Sequence, residues 1–202
     1  MATNYMSPAI FLCYCDFLNH ASPHFLLKKH NMPIMVYRSS IMEYSMSAHS
    51  AAFTLWSKLG KYSFGRWLFS RIVCFKAPYF STVSPTVSCL EHNLCVGYIG
   101  QRKSVQNHIG SIHAIALCNL AELCAGLMTD VSIPNGMRWI PKEMTVRYLQ
   151  KAFGKITARA IPVGGFYESA AGYEATVQVS LTNSEAVEVL SAEIKMWVSK
   201  RS

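Results

Sequence analysis

NHIGSIHAIALCNLAELCAG, residues 107–126, is an apolar run beside or within which Asn107, His113 and Glu122 are the obvious reactive groups. It reads as a long helix continuing through Leu127 and Met128. A start near Ser111, whose hydroxyl can cap it, puts His113 in the first turn and Glu122 nine residues further on. At about 100° and 1.5 Å per residue, Glu122 then lies roughly on the opposite side of the helix and about 13 Å along its axis. The two side chains of one chain cannot meet. Either they are unrelated, or a second copy supplies one of them to the other's site. A carboxylate buried among Ile112, Ile115, Leu117, Leu120 and Leu123 needs a partner, a proton or a task.

Strand signals surround this helix. Pro85 to Leu90 and Leu94 to Ile99 form a candidate hairpin around His92 and Asn93. Four further runs follow the helix: Met137 to Leu149, Lys155 to Val163, Tyr173 to Leu181 and Val187 to Val198. In the third, Ala175, Val177, Val179 and Leu181 share one face, with Thr176, Gln178 and Ser180 on the other. Gly154 and the Gly164–Gly165 pair mark turns. One buried helix followed by consecutive antiparallel strands predicts an α+β domain over residues 76–199, with a sheet wrapped around the helix. The same helix is a poor membrane span, because Glu122 near its centre would cost several kcal/mol in lipid.

Before this domain, residues 51–75 place Phe53, Trp56, Leu59, Phe64, Trp67, Leu68 and Ile72 at mostly three- and four-residue steps, interleaved with Lys58, Lys61, Arg66 and Arg71. The pattern predicts a basic amphipathic helix, breakable at Gly60 or Gly65, which either packs on the main domain or touches a membrane surface. Residues 1–50 read as an irregular extension, interrupted by prolines at 8, 23 and 33.

Composition bounds the function. Among 202 residues, 51% hydrophobic against 15% charged argues for a filled core and against global disorder. Of the net charge of +8, +6 sits in residues 51–106, where seven Lys/Arg face one acid, Glu91. Such a segment attracts phosphates or an anionic surface, or is simply a solvated face. No nucleic-acid recognition motif accompanies it, and neither GxGxxG nor GxxxxGK[ST] occurs. Seven scattered cysteines, no CxxC and no HExxH argue against a bound metal and for a reducing compartment. Cys13 with Cys15, and the loose trio His20, His24 and His30, lack ligand spacing. The N-terminus lacks the features of a secretory signal, so a cytoplasmic or mitochondrial protein is expected.

The order of elements, with Asn107-x5-His113-Ala114 followed by Leu120-Ala121-Glu122, resembles the hotdog fold, in particular the phenylacetate-pathway (PaaI-type) acyl-CoA thioesterases. Closer still is an uncharacterised hotdog group. It is similar in APYF (77–80), in the 107–126 run, in RWIPKEMTVRYLQKAFG (138–154) and in the preceding LWSKLGKYSFGRWLFSR helix. The resemblance spans about residues 53–198.

The resemblance implies a homodimer, or a dimer of dimers, that hydrolyses a fatty or aryl acyl-CoA with no added cofactor. Glu122 would serve as general base or nucleophile on the thioester carbonyl. Asn107 and His113 would come from the opposing subunit, with the Ala114 N–H as oxyanion donor and with Gly110 and His108 on the substrate-binding side. Burial would raise the Glu122 pKa toward neutrality. Three positions depart from the family: Ala114 replaces a glycine, Glu122 a commoner aspartate, and Pro141 stands where some relatives place a water-orienting Ser or Thr. A pocket that binds acyl-CoA or an acyl chain without turnover is the alternative. A dehydratase using His108 and Glu122 is a third reading, against which the proline-glycine motifs of that branch are missing.

Overall fold

The computed structural model describes residues 50–201, so the expected extension and its Cys13, Cys15, His20, His24 and His30 lie outside the described residues. In chain order come α1 (Ala51–Leu59), α2 (Ser63–Lys76), a 3-10 helix (Pro78–Val83), β1 (Thr86–Glu91), β2 (Leu94–Gly100) and a 3-10 turn (Lys103–Val105). They are followed by α3 (Ala114–Ser132), β3 (Met137–Tyr148), β4 (Lys155–Val163), β5 (Tyr173–Thr182) and β6 (Glu188–Lys200).

The six strands form one antiparallel sheet in the order β1-β2-β4-β5-β6-β3, and α3 fills its concave side. This is the expected hotdog arrangement. Of the strands after α3, β4, β5 and β6 pair in sequential order, whereas β3 crosses to the far edge and pairs with β6. Periodicity reports which face of a strand is buried, but not which neighbour it takes.

The core follows the period of two. Val177, Val179 and Leu181 of β5 are fully buried, as are Ile156, Ala158 and Ala160 of β4. β6 adds Leu190, Ala192, Ile194, Met196 and Val198 beneath Leu120, Cys124 and Met128 of α3. The small residues let the helix approach. A methyl group on Gly97 of β2 would stand 3.0 Å from Cys124 Sγ. α3 is long and apolar enough to cross a bilayer, but most of it is buried inside this core.

The helix predicted over residues 51–75, breakable at Gly60 or Gly65, runs as α1 and α2 with the break at Gly60–Tyr62. Gly65 lies inside α2, where an added Cβ would overlap the Leu59 carbonyl, so its missing side chain lets α2 fold back on the end of α1. Phe69, Ser70 and Cys74 face inward, and Ser70 Oγ accepts the Val87 N–H of β1 at 2.9 Å. The predicted apolar stripe over Phe64, Trp67, Leu68 and Ile72 is therefore not the packed face.

Candidate active site

Two strands of contact hold the loop that leads into α3. Ile112 N–H donates to Ala152 O (2.9 Å), and His113 N–H donates to Val105 O (2.8 Å). Gln101 ties the same region from outside, its Nε2 donating to Gly110 O (2.8 Å) and its Oε1 accepting from Gly154 N–H (2.6 Å). Gly110 takes φ +80°, where glycine is unstrained. Sequence reasoning missed Gln101, and a lone glutamine carries no pattern that would have found it.

This clamping moves the helix start. Residues 111–113 spend their backbone N–H groups outside α3, and the helix begins at Ala114 rather than near Ser111. Ser111 is buried and caps nothing; its Oγ accepts from Asn107 Nδ2 at 2.8 Å. His113 is the N-cap instead. Its Nδ1 accepts the Ile115 N–H at 3.1 Å, which in the neutral ring leaves the proton on Nε2. Ala114 follows as the first helical residue, and its N–H has no acceptor among the described residues. A free N–H at the positive end of a 19-residue helix is a ready site for developing negative charge.

Asn107 is committed locally. Its Oδ1 accepts from Ile109 N–H (3.1 Å) and Ser111 N–H (3.2 Å), shaping the loop that carries His108 and Gly110. His108 is exposed on that loop. The structure thus brings Asn107, His108, Gly110, His113 and Ala114 to one end of α3.

Replacing His113 by Ala should cost the cap about 1 kcal/mol of folding stability, while Asn, which keeps a side-chain acceptor, should retain most of it. Urea denaturation of the two variants measures this.

Glu122 lies elsewhere, and it is not buried. The sheet, together with α1 and the 3-10 helix at Pro78–Val83, leaves a stripe of α3 on which Ile115, Cys118 and Glu122 follow at helical spacing. The Glu122 carboxylate makes no ion pair or hydrogen bond among the described residues, and Arg147 is exposed and does not pair with it. The burial expected for Glu122 is therefore absent from a single chain, because the stripe lies beside the edge strand β3.

Two clefts that share no residue border these groups. One, of about 320 Å³, lies at the start of α3, between His113, Ala116, Asn119, Tyr79 and Gln106. Asn119 is 5% exposed and leaves Oδ1 without a partner among the described residues, a buried acceptor unmet by the protein itself. The other, of about 240 Å³, lies between Glu122, Pro141, Lys142, Glu143, Met144 and Ile194. A bulge at Lys142, where β3 slips register against β6, turns the strand beside Glu122. Lys142 Nζ stands 3.7 Å from Glu174 Oε2 and 5.0 Å from the Trp197 ring centroid.

Cys118, one turn before Glu122, was also missed, although the same period places it on the stripe. Its Sγ lies 3.1 Å from Tyr148 Oη of β3. That contact, aided by partial burial, pushes the Tyr148 pKa up to about 12, so the phenol stays neutral through the physiological range. No three His, Cys, Asp or Glu side chains gather at metal-binding spacing among the described residues.

Residues 65–198, two-thirds of the chain, match the model of a domain of unknown function, DUF4442. The chain belongs to the DUF4442 family. A structural-genomics crystal structure, genomics APC5556, is 37% identical to this DUF4442 chain, with a TM-score of 0.63 over 74% of this chain and 97% of that one. A protein of unknown function from Pseudomonas aeruginosa, described as a probable thioesterase, is 21% identical with a TM-score of 0.58, covering 65% and 93%. A thioesterase from Haemophilus influenzae is 16% identical with a TM-score of 0.54, covering 60% and 82%. The last two likenesses establish the hotdog fold of the DUF4442 chain. None of the curated proteins compared with it matches.

Proposed function

We propose that this DUF4442 protein hydrolyses acyl-CoA thioesters at sites shared between two copies, one contributing the start of α3 and the other Glu122. The observation that carries the reading is the separation on α3: an unpaired N–H at Ala114 beside the cleft that His113 and Ile115 line, and an unpaired carboxylate eight residues later in another. Each cleft holds half of what acyl transfer requires. Antiparallel association of two such surfaces supplies both halves twice, as a two-fold interface does. β3 supports that association, since its outer edge pairs with no strand among the described residues and Ile140 and Tyr148 on it are exposed.

In the assembled site the thioester carbonyl oxygen accepts the Ala114 N–H, and the helix dipole favours the charge that develops on it. Glu122 of the other copy takes a proton from water as the water oxygen bonds to the carbonyl carbon. Collapse of the tetrahedral intermediate breaks the C–S bond, and the proton held by Glu122 passes to the departing thiolate. The products are a free acid and a free thiol. His113 caps and orients the donor helix, and Asn107 fixes the loop before it. The five described cysteines form no disulfide with one another, which suits a reducing compartment. The thioesterase descriptions of the Haemophilus and Pseudomonas structures agree with this chemistry.

Pro141 favours a second reading. It borders the Glu122 cleft and brings neither a hydroxyl nor an N–H to orient water, as a pocket that binds acyl-CoA without turning it over would tolerate. A panel of short, medium, long and aryl acyl-CoAs, assayed for free thiol, separates the two. Thiol release is expected from at least one class. Ligand binding with no release from any would establish the binding protein instead.

A further inference from the structure

We propose that the outer face of α2 docks on an anionic lipid surface. Residues 64, 67, 68, 71, 72 and 75 fall within about 140° of the helix circumference, opposite the face that buries Phe69 and Cys74. On it, Phe64 is 71% exposed, Trp67 48% and Phe75 86%. The Phe64 and Trp67 rings stack with centroids 5.5 Å apart. Arg71, the polar member of the stripe, donates from Nη2 to Pro85 O at 2.6 Å, which draws its charge toward the protein and leaves the aromatic rings outermost. Tyr62 and Tyr79, before and after the helix, are also exposed.

A helix whose inner face is already packed ordinarily keeps its outer face polar. Here the outer face is aromatic, and the surrounding charge has one sign. Lys58, Lys61 and Lys76 are exposed, and no acid occurs from Ala51 to Leu90. Aromatic rings flanked by lysines match the boundary between acyl chains and anionic headgroups. A second copy fits this face poorly, because a two-fold contact would bring lysines against lysines. The proposal is independent of the chemistry assigned to Glu122.

Sedimentation of the full chain with vesicles of phosphatidylglycerol and phosphatidylcholine, against phosphatidylcholine alone, tests it. Binding to the anionic vesicles only, weakened by salt, is the expected result. Each lysine removed should weaken partitioning about fivefold, so Lys58→Gln/Lys61→Gln/Lys76→Gln should weaken it roughly a hundredfold. Phe64→Ser/Trp67→Ser/Phe75→Ser should abolish it at the same lipid concentration. All six side chains are exposed, so circular dichroism and the melting temperature of both variants should match the parent. Failure of the parent chain to sediment overturns the proposal, as does unchanged sedimentation of either variant. A changed oligomeric mass of the aromatic variant, with no vesicle binding by the parent, assigns the face to another copy.

Discussion

Glu122→Gln is expected to lower kcat for acyl-CoA hydrolysis by about a thousandfold, leaving KM and folding stability nearly unchanged. General-base catalysis by a placed side chain contributes on the order of 10²–10⁴, and glutamine keeps the shape while losing the basic oxygen. Stability should hold because the carboxylate is exposed and has no partner among the described residues, so its replacement breaks no native contact. Exposed substitutions of this kind usually shift stability by less than about 0.5 kcal/mol. Steady-state thiol release and thermal unfolding of the same preparation measure both halves. A variant that retains the parent rate removes Glu122 from the chemistry.

Ala114→Pro is the complementary test, and the backbone makes it a clean one. Proline is well tolerated at the first helical position, and the preceding residue must be extended, as His113 is at φ −63°, ψ 138°. The substitution therefore removes the proposed oxyanion donor while preserving the helix. A loss of roughly 10²–10³ in kcat is expected, the usual cost of one oxyanion-hole donor. Mixing the Ala114→Pro and Glu122→Gln chains under conditions that exchange subunits should then restore activity. Each mixed dimer holds one intact site, and random pairing gives mixed dimers half the time, so about a quarter of the parent rate should return. Recovery from two inactive parents requires a site shared between chains. A mixture that stays inactive, though mass measurement shows mixed dimers, overturns the shared site.

Much of the fold was legible because its signals are local. The period of two in residues 173–181 and the turn at His92–Asn93, where Asn93 adopts φ +64°, place strand and hairpin without tertiary information. The separation of His113 from Glu122 was legible for the same reason, since it follows from helix geometry alone. Three features were not. Whether Glu122 is buried depends on where the sheet ends, and β3 reaches that edge only by crossing the fold. The helix start depends on the Ala152 carbonyl, remote from Ser111 in sequence, and on the Val105 carbonyl across the loop, which take up the preceding N–H groups. The outward turn of Phe64 and Trp67 depends on Gly65 meeting Leu59, which selects one of two apolar faces of α2 for the core.

By itself the sequence determined the elements, the face each strand buries, and the impossibility of His113 and Glu122 meeting within one helix, because each follows from backbone periodicity. Only the tertiary structure decided that Glu122 stands exposed and unpaired, that His113 is a cap, and that α2 keeps an aromatic face outside. Those outcomes depend on which surfaces distant segments cover, and that competition among faces is settled by the packing of the whole chain.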